Sequence, residues 1–179
     1  MSDIALSGLG TALPKHQLSQ TDALAVVRTQ FQERFPEFKS LIPVFQNAGI
    51  ENRAIAMPLD WYLEPRGLAE RNSAYLNVAT QLFVEATKNA LSAAKISAAD
   101  VDTVVTISSS GIATPTLEAR ASAELGFRPN ILRVPVFGLG CAGGVSGLAL
   151  GSQLARANPG SVVLVLAVEL CSLWFHQDT

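Results

Sequence analysis

The sequence is poor in charge, in aromatic residues and in cysteine. Charged residues make up 16% of the 179 residues and hydrophobic residues 49%, whereas an average soluble domain is about a quarter charged. The net charge of −2 offers no basic surface for a phosphate backbone, so we expect no nucleic-acid partner. Two cysteines, Cys141 and Cys171, do not make a disulfide framework. No basic and apolar secretory signal is seen at the start. From the cysteine content we expect a reduced, cytoplasmic setting.

The missing charge is concentrated in one segment. Between positions 134 and 168 the only charged residue is Arg156. About 20 apolar residues can span a bilayer, but Pro135 and six glycines between 138 and 151 oppose a membrane span. We expect instead a helix buried on all sides in protein, in which small residues allow close packing. Two glycine pairs have the required four-residue spacing, Gly140/Gly144 and Gly147/Gly151.

Strand and helix patterns alternate along the chain and predict an α/β fold. A continuous apolar run at 162–166 is typical of a parallel strand covered on both faces, which implies a βαβ unit with a right-handed crossover. Four prolines between 35 and 66 predict short helices and loops there. The predicted strands are 4–9, 101–107, 131–137 and 161–168, and the predicted helices are 19–31, 72–94, 114–125 and a last one that ends near 157.

The glycine turn before the last helix has two interpretations. Gly138, Gly140 and Gly143 have the spacing of a dinucleotide-binding fingerprint, between a strand and a helix. That fingerprint also requires an acidic residue about 20 positions later, and Glu169 lies 26 residues beyond Gly143. A dinucleotide-binding domain therefore stays as one alternative.

The other interpretation makes Cys141 a nucleophile. A tight turn between a strand and a helix exposes one side chain at the helix N-terminus, where the amide dipoles stabilise an anion. A helix dipole contributes only about 1 kcal/mol, so an efficient nucleophile also needs a cationic partner such as histidine. The chain has two histidines, His16 and His176, and both positions predict solvated residues rather than a catalytic base.

Four short motifs stand out along the chain: Ser109-Ser110-Gly111, Leu125-Gly126-Phe127-Arg128-Pro129, Gly140-Cys141-Ala142-Gly143-Gly144 and Val168-Glu169-Leu170-Cys171-Ser172. Their sequence and spacing are similar to those of the N-terminal half of type III polyketide synthases, the chalcone and stilbene synthase family of the thiolase superfamily. The resemblance covers nearly the whole chain and implies one domain, 1–179, with a thiolase-like layered α/β fold. That fold implies a mixed sheet flanked by helices, a buried central helix and a homodimer.

The resemblance also implies a reaction. Cys141 is expected to take an acyl group from a starter acyl-CoA and to carry it while units derived from malonyl-CoA are added by decarboxylative Claisen condensation. The coenzyme A thioesters are substrates, and neither a cofactor nor a metal is expected. Thr114 matches a residue that reaches into the partner subunit's cavity. The expected cavity residues are Ser109, Ser110, Cys171, Ser172 and Trp174, and the bulky indole of Trp174 predicts a narrow cavity and a short product.

The sequence also departs from the family. Family members are about twice as long, and their catalytic His and Asn lie in the second half. The basic residues that contact coenzyme A have no counterparts between 45 and 52. We expect the isolated chain to be inactive and to self-associate. Alternative functions are an initiating-type ketoacyl synthase, a hydroxymethylglutaryl-CoA synthase and, in a different class, a non-catalytic thiolase-fold subunit.

Overall fold

Helices and strands alternate along most of the chain, as predicted. The structure is a computed structural model that describes residues 4–32, 35 and 37–176. The strands are β1 His16–Ser19, β2 Asn52–Ile55, β3 Val101–Ile107, β4 Leu132–Val136 and β5 Val162–Ala167. The helices are α1 Gln20–Phe31, α2 Phe38–Asn47, α3 Leu59–Leu63, α4 Leu68–Ala94, α5 Leu117–Leu125 and α6 Gly143–Ala157. Short 3-10 turns occupy Ala98–Asp100, Gly140–Ala142 and Cys171–Trp174.

Three parallel strands form the central sheet, in the order β4-β3-β5. The middle strand β3 is buried along almost its whole length, as expected for a parallel strand covered on both faces. Its last residue, Ile107, is aligned with Val136 of β4 on one side and with Ala167 of β5 on the other. The carboxyl ends of all three strands therefore meet at one edge, which is where open α/β sheets place their binding sites.

The sheet is the middle layer of three. Tyr75, Ala79 and Phe83 of α4, spaced by four residues, form part of one buried core together with Leu164 and Leu166 of β5. Helix α5 packs beside α4 in the same layer. The intervening side chains of β5 point to the opposite face, where they contact α6. This arrangement confirms the predicted layered α/β fold.

Helix α6 lies close to the sheet because three glycines face it. An added Cβ on Gly143 or Gly147 would lie 2.5 or 2.4 Å from a side-chain carbon of Ile107, and one on Gly151 would lie 2.5 Å from Val165. These distances are far below the 3.5–4.0 Å or so of ordinary carbon contacts. Only glycine at these three positions permits the observed separation of helix and sheet.

Two predictions about α6 need correction. The pair Gly140/Gly144 was expected to pack closely, but an added Cβ on either residue would have nothing within 4 Å. The helix was expected to be buried on all sides, yet Val145 is 76% and Leu148 57% exposed. The reason is that α6 is the outermost layer here, so only its glycine face is covered by the sheet. No helix among the described residues is long and apolar enough to cross a membrane.

The N-terminal segment also differs from the prediction. Residues 4–9 were expected to form a strand, but they pair with none of the described strands. The segment instead runs along α4, where Gly8 and Gly10 lie so close to Ala90 that an added Cβ would approach its backbone to 2.6 and 2.3 Å. Leu6 and Leu9 are exposed. An apolar pattern alone does not form a strand when no neighbouring strand is positioned to make backbone hydrogen bonds with it.

The remaining differences concern boundaries and one missed pair of strands. Helix α1 begins as predicted, with the Ser19 hydroxyl accepting a hydrogen bond from the Asp22 amide at 3.0 Å. Helix α5 begins at 117 rather than 114, and Gly126 ends it at φ +75° as predicted. Helix α4 begins at 68, four residues before its predicted start. The antiparallel pair of β1 and β2 was not predicted, because β2 lies in the proline-rich region.

Candidate active site

Cys141 lies at the turn between β4 and α6, in a segment that we call the elbow (137–142). Gly138 and Gly140 adopt φ angles of +84° and +52°, which side chains other than glycine rarely allow. Cys141 follows directly in the short turn before α6, and its thiol is exposed and forms no disulfide. The backbone conformation of the turn therefore favours glycine at both positions. The turn places Cys141 at the N-terminal end of a 15-residue helix.

The elbow is bonded to the end of the middle strand. Ser109, just beyond β3, accepts a hydrogen bond through its hydroxyl from the Gly140 amide at 3.1 Å. The Ser109 amide in turn donates to the Glu169 carboxylate, just beyond β5, at 2.8 Å. The loops that follow β4, β3 and β5 are therefore joined in that order. Glu169, the acidic residue considered for the dinucleotide fingerprint, is engaged in this connection.

Ser110 supports the backbone beside the elbow. It is buried, and its hydroxyl accepts a hydrogen bond from the Leu170 amide at 2.8 Å. Its carbonyl accepts a hydrogen bond from the indole nitrogen of Trp174, also at 2.8 Å. Its predicted role in lining a cavity stays a prediction, while its contacts hold the segment after β5 in place.

Ser108, which the sequence analysis did not select, links three elements. Its hydroxyl lies 2.6 Å from the Val168 carbonyl and 2.6 Å from the Tyr75 hydroxyl. Because a carbonyl only accepts, Ser108 donates its single proton to Val168, and Tyr75 donates to Ser108. Burial raises the pKa of Tyr75; the hydrogen bond to Ser108 acts in the opposite direction, and the charge of Glu169 raises it further. Tyr75 is therefore a neutral donor that ties α4 to the ends of β3 and β5.

The Cys171–Trp174 turn is braced against the segment between β2 and α3. The Ser172 hydroxyl accepts from the Ala56 amide at 3.1 Å and lies 2.9 Å from the Tyr62 hydroxyl. Cys171 and Trp174 are exposed on the same turn, and Trp174 as a whole residue is 52% exposed. Three predicted site residues therefore share one short element, in which Ser172 is bonded to Ala56 and Trp174 to Ser110.

Arg71 is a second residue that the sequence analysis missed. It lies in the first turns of α4, is only 8% exposed, and donates hydrogen bonds to the carbonyls of Leu173 and Phe175. The sequence could have indicated its burial, because Arg71 is four residues before Tyr75 and so lies on the buried face of an amphipathic helix. A charged residue on such a face needs buried partners.

Thr114 and the two histidines lie outside these connections. The Thr114 side chain is exposed, and the Thr114 carbonyl accepts a hydrogen bond from Arg120 at 3.2 Å. His16 is exposed on β1 rather than in the predicted loop. The ring of His176 lies 6.4 Å from that of Trp174. Within the part of the chain that the structure describes, no group of three or more metal-binding side chains occurs.

Comparison with known proteins gives a consistent result. Residues 3–179 match the family model of the N-terminal domain of chalcone and stilbene synthases. The chain is 36% identical to 1,3,6,8-tetrahydroxynaphthalene synthase of Streptomyces peucetius subsp. caesius, over 97% of this chain and 46% of that protein. It is 32% identical to the alpha-pyrone synthesis polyketide synthase-like Pks18 of Mycobacterium tuberculosis, over 94% of this chain and 44% of that protein.

A solved structure gives the same result for the fold. The crystal structure of 1,3,6,8-tetrahydroxynaphthalene synthase from Streptomyces coelicolor A3(2), a bacterial type III polyketide synthase, matches with a TM-score of 0.90 and 26% identity. That match covers 96% of this chain and 50% of the solved chain. The chain thus spans about half the length of the relatives it matches. It belongs to the chalcone and stilbene synthase family and corresponds to the N-terminal half of a type III polyketide synthase.

Proposed function

We propose that this chain supplies the nucleophile and part of the cavity of a type III polyketide synthase, an acyltransferase that builds polyketides from coenzyme A thioesters. The observation that carries the proposal is the exposed thiol of Cys141 on an elbow that two glycines with positive φ angles define. The bond from Ser109 to the Gly140 amide supports it, because it holds the elbow against the edge where the three strands end.

The proposed reaction has two steps. The Cys141 thiolate attacks the carbonyl carbon of a starter acyl-CoA, a carbon–sulfur bond forms, and the coenzyme A thiolate leaves. Malonyl-CoA then loses carbon dioxide, and its carbanion attacks the acyl group on Cys141. This step forms a carbon–carbon bond and releases the Cys141 thiolate. No oxidation state changes at the protein, so the reaction needs no redox cofactor, and the resemblance to the family is the reason that no metal is part of the proposal.

The N-terminus of α6 contributes to the first step. Its unpaired amide groups and its dipole favour a negative charge at the position of Cys141, by about 1 kcal/mol at most. That contribution is small for a nucleophile, so a cationic partner is required. We assign that partner, and the group that stabilises the oxyanion, to the His and Asn expected in a second half joined to domain 1–179.

The predicted cavity residues divide into two groups by exposure. Cys171 and Trp174 are exposed and Ser109 is half-buried, so these three are able to line a cavity. Ser110 and Ser172 accept hydrogen bonds from backbone amides, and we propose that they hold the cavity wall in place. The acyl-CoA starter and malonyl-CoA are the proposed substrates.

A homodimer is also part of the proposal. Val145 and Leu148 leave an apolar face on α6 uncovered, and Thr114 is exposed. A second half and a partner subunit would cover these residues, as in the family that the chain resembles. The isolated chain should therefore self-associate, and light scattering that shows only monomers would contradict this.

A cytoplasmic location is also proposed, and it rests on the two unpaired cysteines.

The proposal is tested by condensation in the full-length protein. Acyl-CoA and labelled malonyl-CoA should give a labelled polyketide with the wild type and none with Cys141→Ala. A requirement for an acyl carrier protein would indicate an initiating ketoacyl synthase instead. A non-catalytic subunit would be favoured by two results together: no product forms under any condition, and iodoacetamide alkylates Cys141 and Cys171 at equal rates.

A further inference from the structure

Arg71 is buried at the base of the Cys171–Trp174 turn. One of its terminal nitrogens donates to the Leu173 carbonyl at 2.6 Å and to the Phe175 carbonyl at 2.8 Å. Its Nε donates to the Arg66 carbonyl at 2.9 Å. The guanidinium thus joins the start of α4 to a segment about a hundred residues later in the chain.

The two carbonyls belong to the residues on either side of Trp174. The main chain at Trp174 therefore cannot rotate without breaking a bond to Arg71. The indole is fixed separately, since its nitrogen donates to the Ser110 carbonyl at 2.8 Å. Trp174 is thus held at its backbone by α4 and at its side chain by the loop after β3, while half of its surface stays exposed.

The contacts of Arg71 are unusual for a buried charge. Among the described residues no carboxylate lies within 4 Å of it, and backbone carbonyls take all three hydrogen bonds. The guanidinium also lies over the Trp61 ring, 5.8 Å from the centroid. A planar fork of donors can reach several carbonyls at once, whereas the ammonium of lysine is a single point of attachment. The site therefore specifically favours arginine.

We propose that Arg71 is a positioning residue that fixes Trp174 and thereby limits the length of the polyketide. This inference rests on the proposed function, in which Trp174 forms part of the cavity wall. Without Arg71 the backbone on both sides of Trp174 loses its hydrogen bonds to α4, and the indole is held by its bond to the Ser110 carbonyl alone. The cavity then loses a fixed boundary and admits longer chains.

The experiment compares Arg71→Met with the wild type in the full-length synthase, using acyl-CoA and malonyl-CoA. The ratio of longer to shorter products should rise roughly tenfold, while the rate of the first condensation changes little. Amide hydrogen exchange in the segment 171–176 should accelerate by a similar factor. Arg71→Lys keeps the charge but reaches fewer carbonyls, so its product ratio and exchange rate should lie between those of the wild type and Arg71→Met. It serves as the second variant if Arg71→Met does not fold.

Arg66→Met is the matched control. Arg66 also stacks on Trp61, at 5.0 Å, but its side chain donates hydrogen bonds to the Trp61 carbonyl and to Glu70 rather than to the turn, so the product ratio should stay that of the wild type. An active, folded Arg71 variant with an unchanged product ratio, or with unchanged exchange in 171–176, overturns the inference alone. A wild-type enzyme that forms no product overturns the proposed function, and the inference with it.

Discussion

Gly111 is a position at which even a methyl group should disrupt the site. An added Cβ would lie 2.1 and 2.2 Å from two ring carbons of Tyr75. Tyr75 is only 1% exposed and its hydroxyl is bonded to Ser108, so the ring has no room to move away. Because carbon atoms pack at about 3.5–4.0 Å, Gly111→Ala requires the ring or the turn to move by roughly 1.5 Å.

The cost of this change follows from two terms. Overpacking of a buried site costs about 1–3 kcal/mol, and loss of the hydrogen bond between Tyr75 and Ser108 adds about 1 kcal/mol. Gly111→Ala should therefore lower the free energy of unfolding by about 2–4 kcal/mol, as measured by urea denaturation. Gly144→Ala is the control, because its Cβ meets nothing within 4 Å and alanine favours a helix by up to about 1 kcal/mol.

A double substitution tests the same reasoning independently. In a Tyr75→Leu background the ring is gone, so Gly111→Ala should cost clearly less than it does alone. The reasoning is refuted if Gly111→Ala costs no more than about 0.5 kcal/mol, the range of ordinary surface substitutions. It is also refuted if the costs of the two substitutions simply add.

Three further predictions concern stability and product length. The pKa of Asp102 lies below its usual value, mainly because the Val162 amide donates a hydrogen bond to the carboxylate and secondly because of Arg128. The stability that the ionised Asp102 contributes is therefore present above about pH 4 and is lost as the pH falls further. Denaturation between pH 6 and about 3 should therefore show a smaller loss of stability in Asp102→Asn than in the wild type. Ser110→Ala leaves the Leu170 amide without its partner and should cost about 1–3 kcal/mol in urea denaturation. Trp174→Gly in the full-length synthase should give longer products by mass spectrometry, and an unchanged product length would disprove the role of the indole.

The features that the sequence predicts well are those set by neighbouring residues. The strand at 101–107, the end of α5 at Gly126 and the turn around Cys141 depend on local apolar periodicity and on glycine. The contact between Ser109, just after β3, and Glu169, just after β5, could be predicted because parallel strands end at the same edge of a sheet.

The features that it missed depend on distant partners. The bond between Ala56 and Ser172 joins residues 116 positions apart, and that between Arg71 and Leu173 joins residues 102 positions apart. No local pattern contains such contacts. The apolar stretch of α6 predicts burial without revealing which segment covers it, and within this chain Val145 and Leu148 are exposed.

Acylation of Cys141 tests the central claim most directly. The full-length protein is incubated with a radiolabelled acyl-CoA alone, quenched in acid and digested, and the labelled peptide is identified by mass spectrometry. The account predicts one thioester, on the peptide that contains Cys141, which is lost in Cys141→Ser and kept in Cys171→Ser. Label on Cys171, or no label on either cysteine in a folded protein, would contradict it.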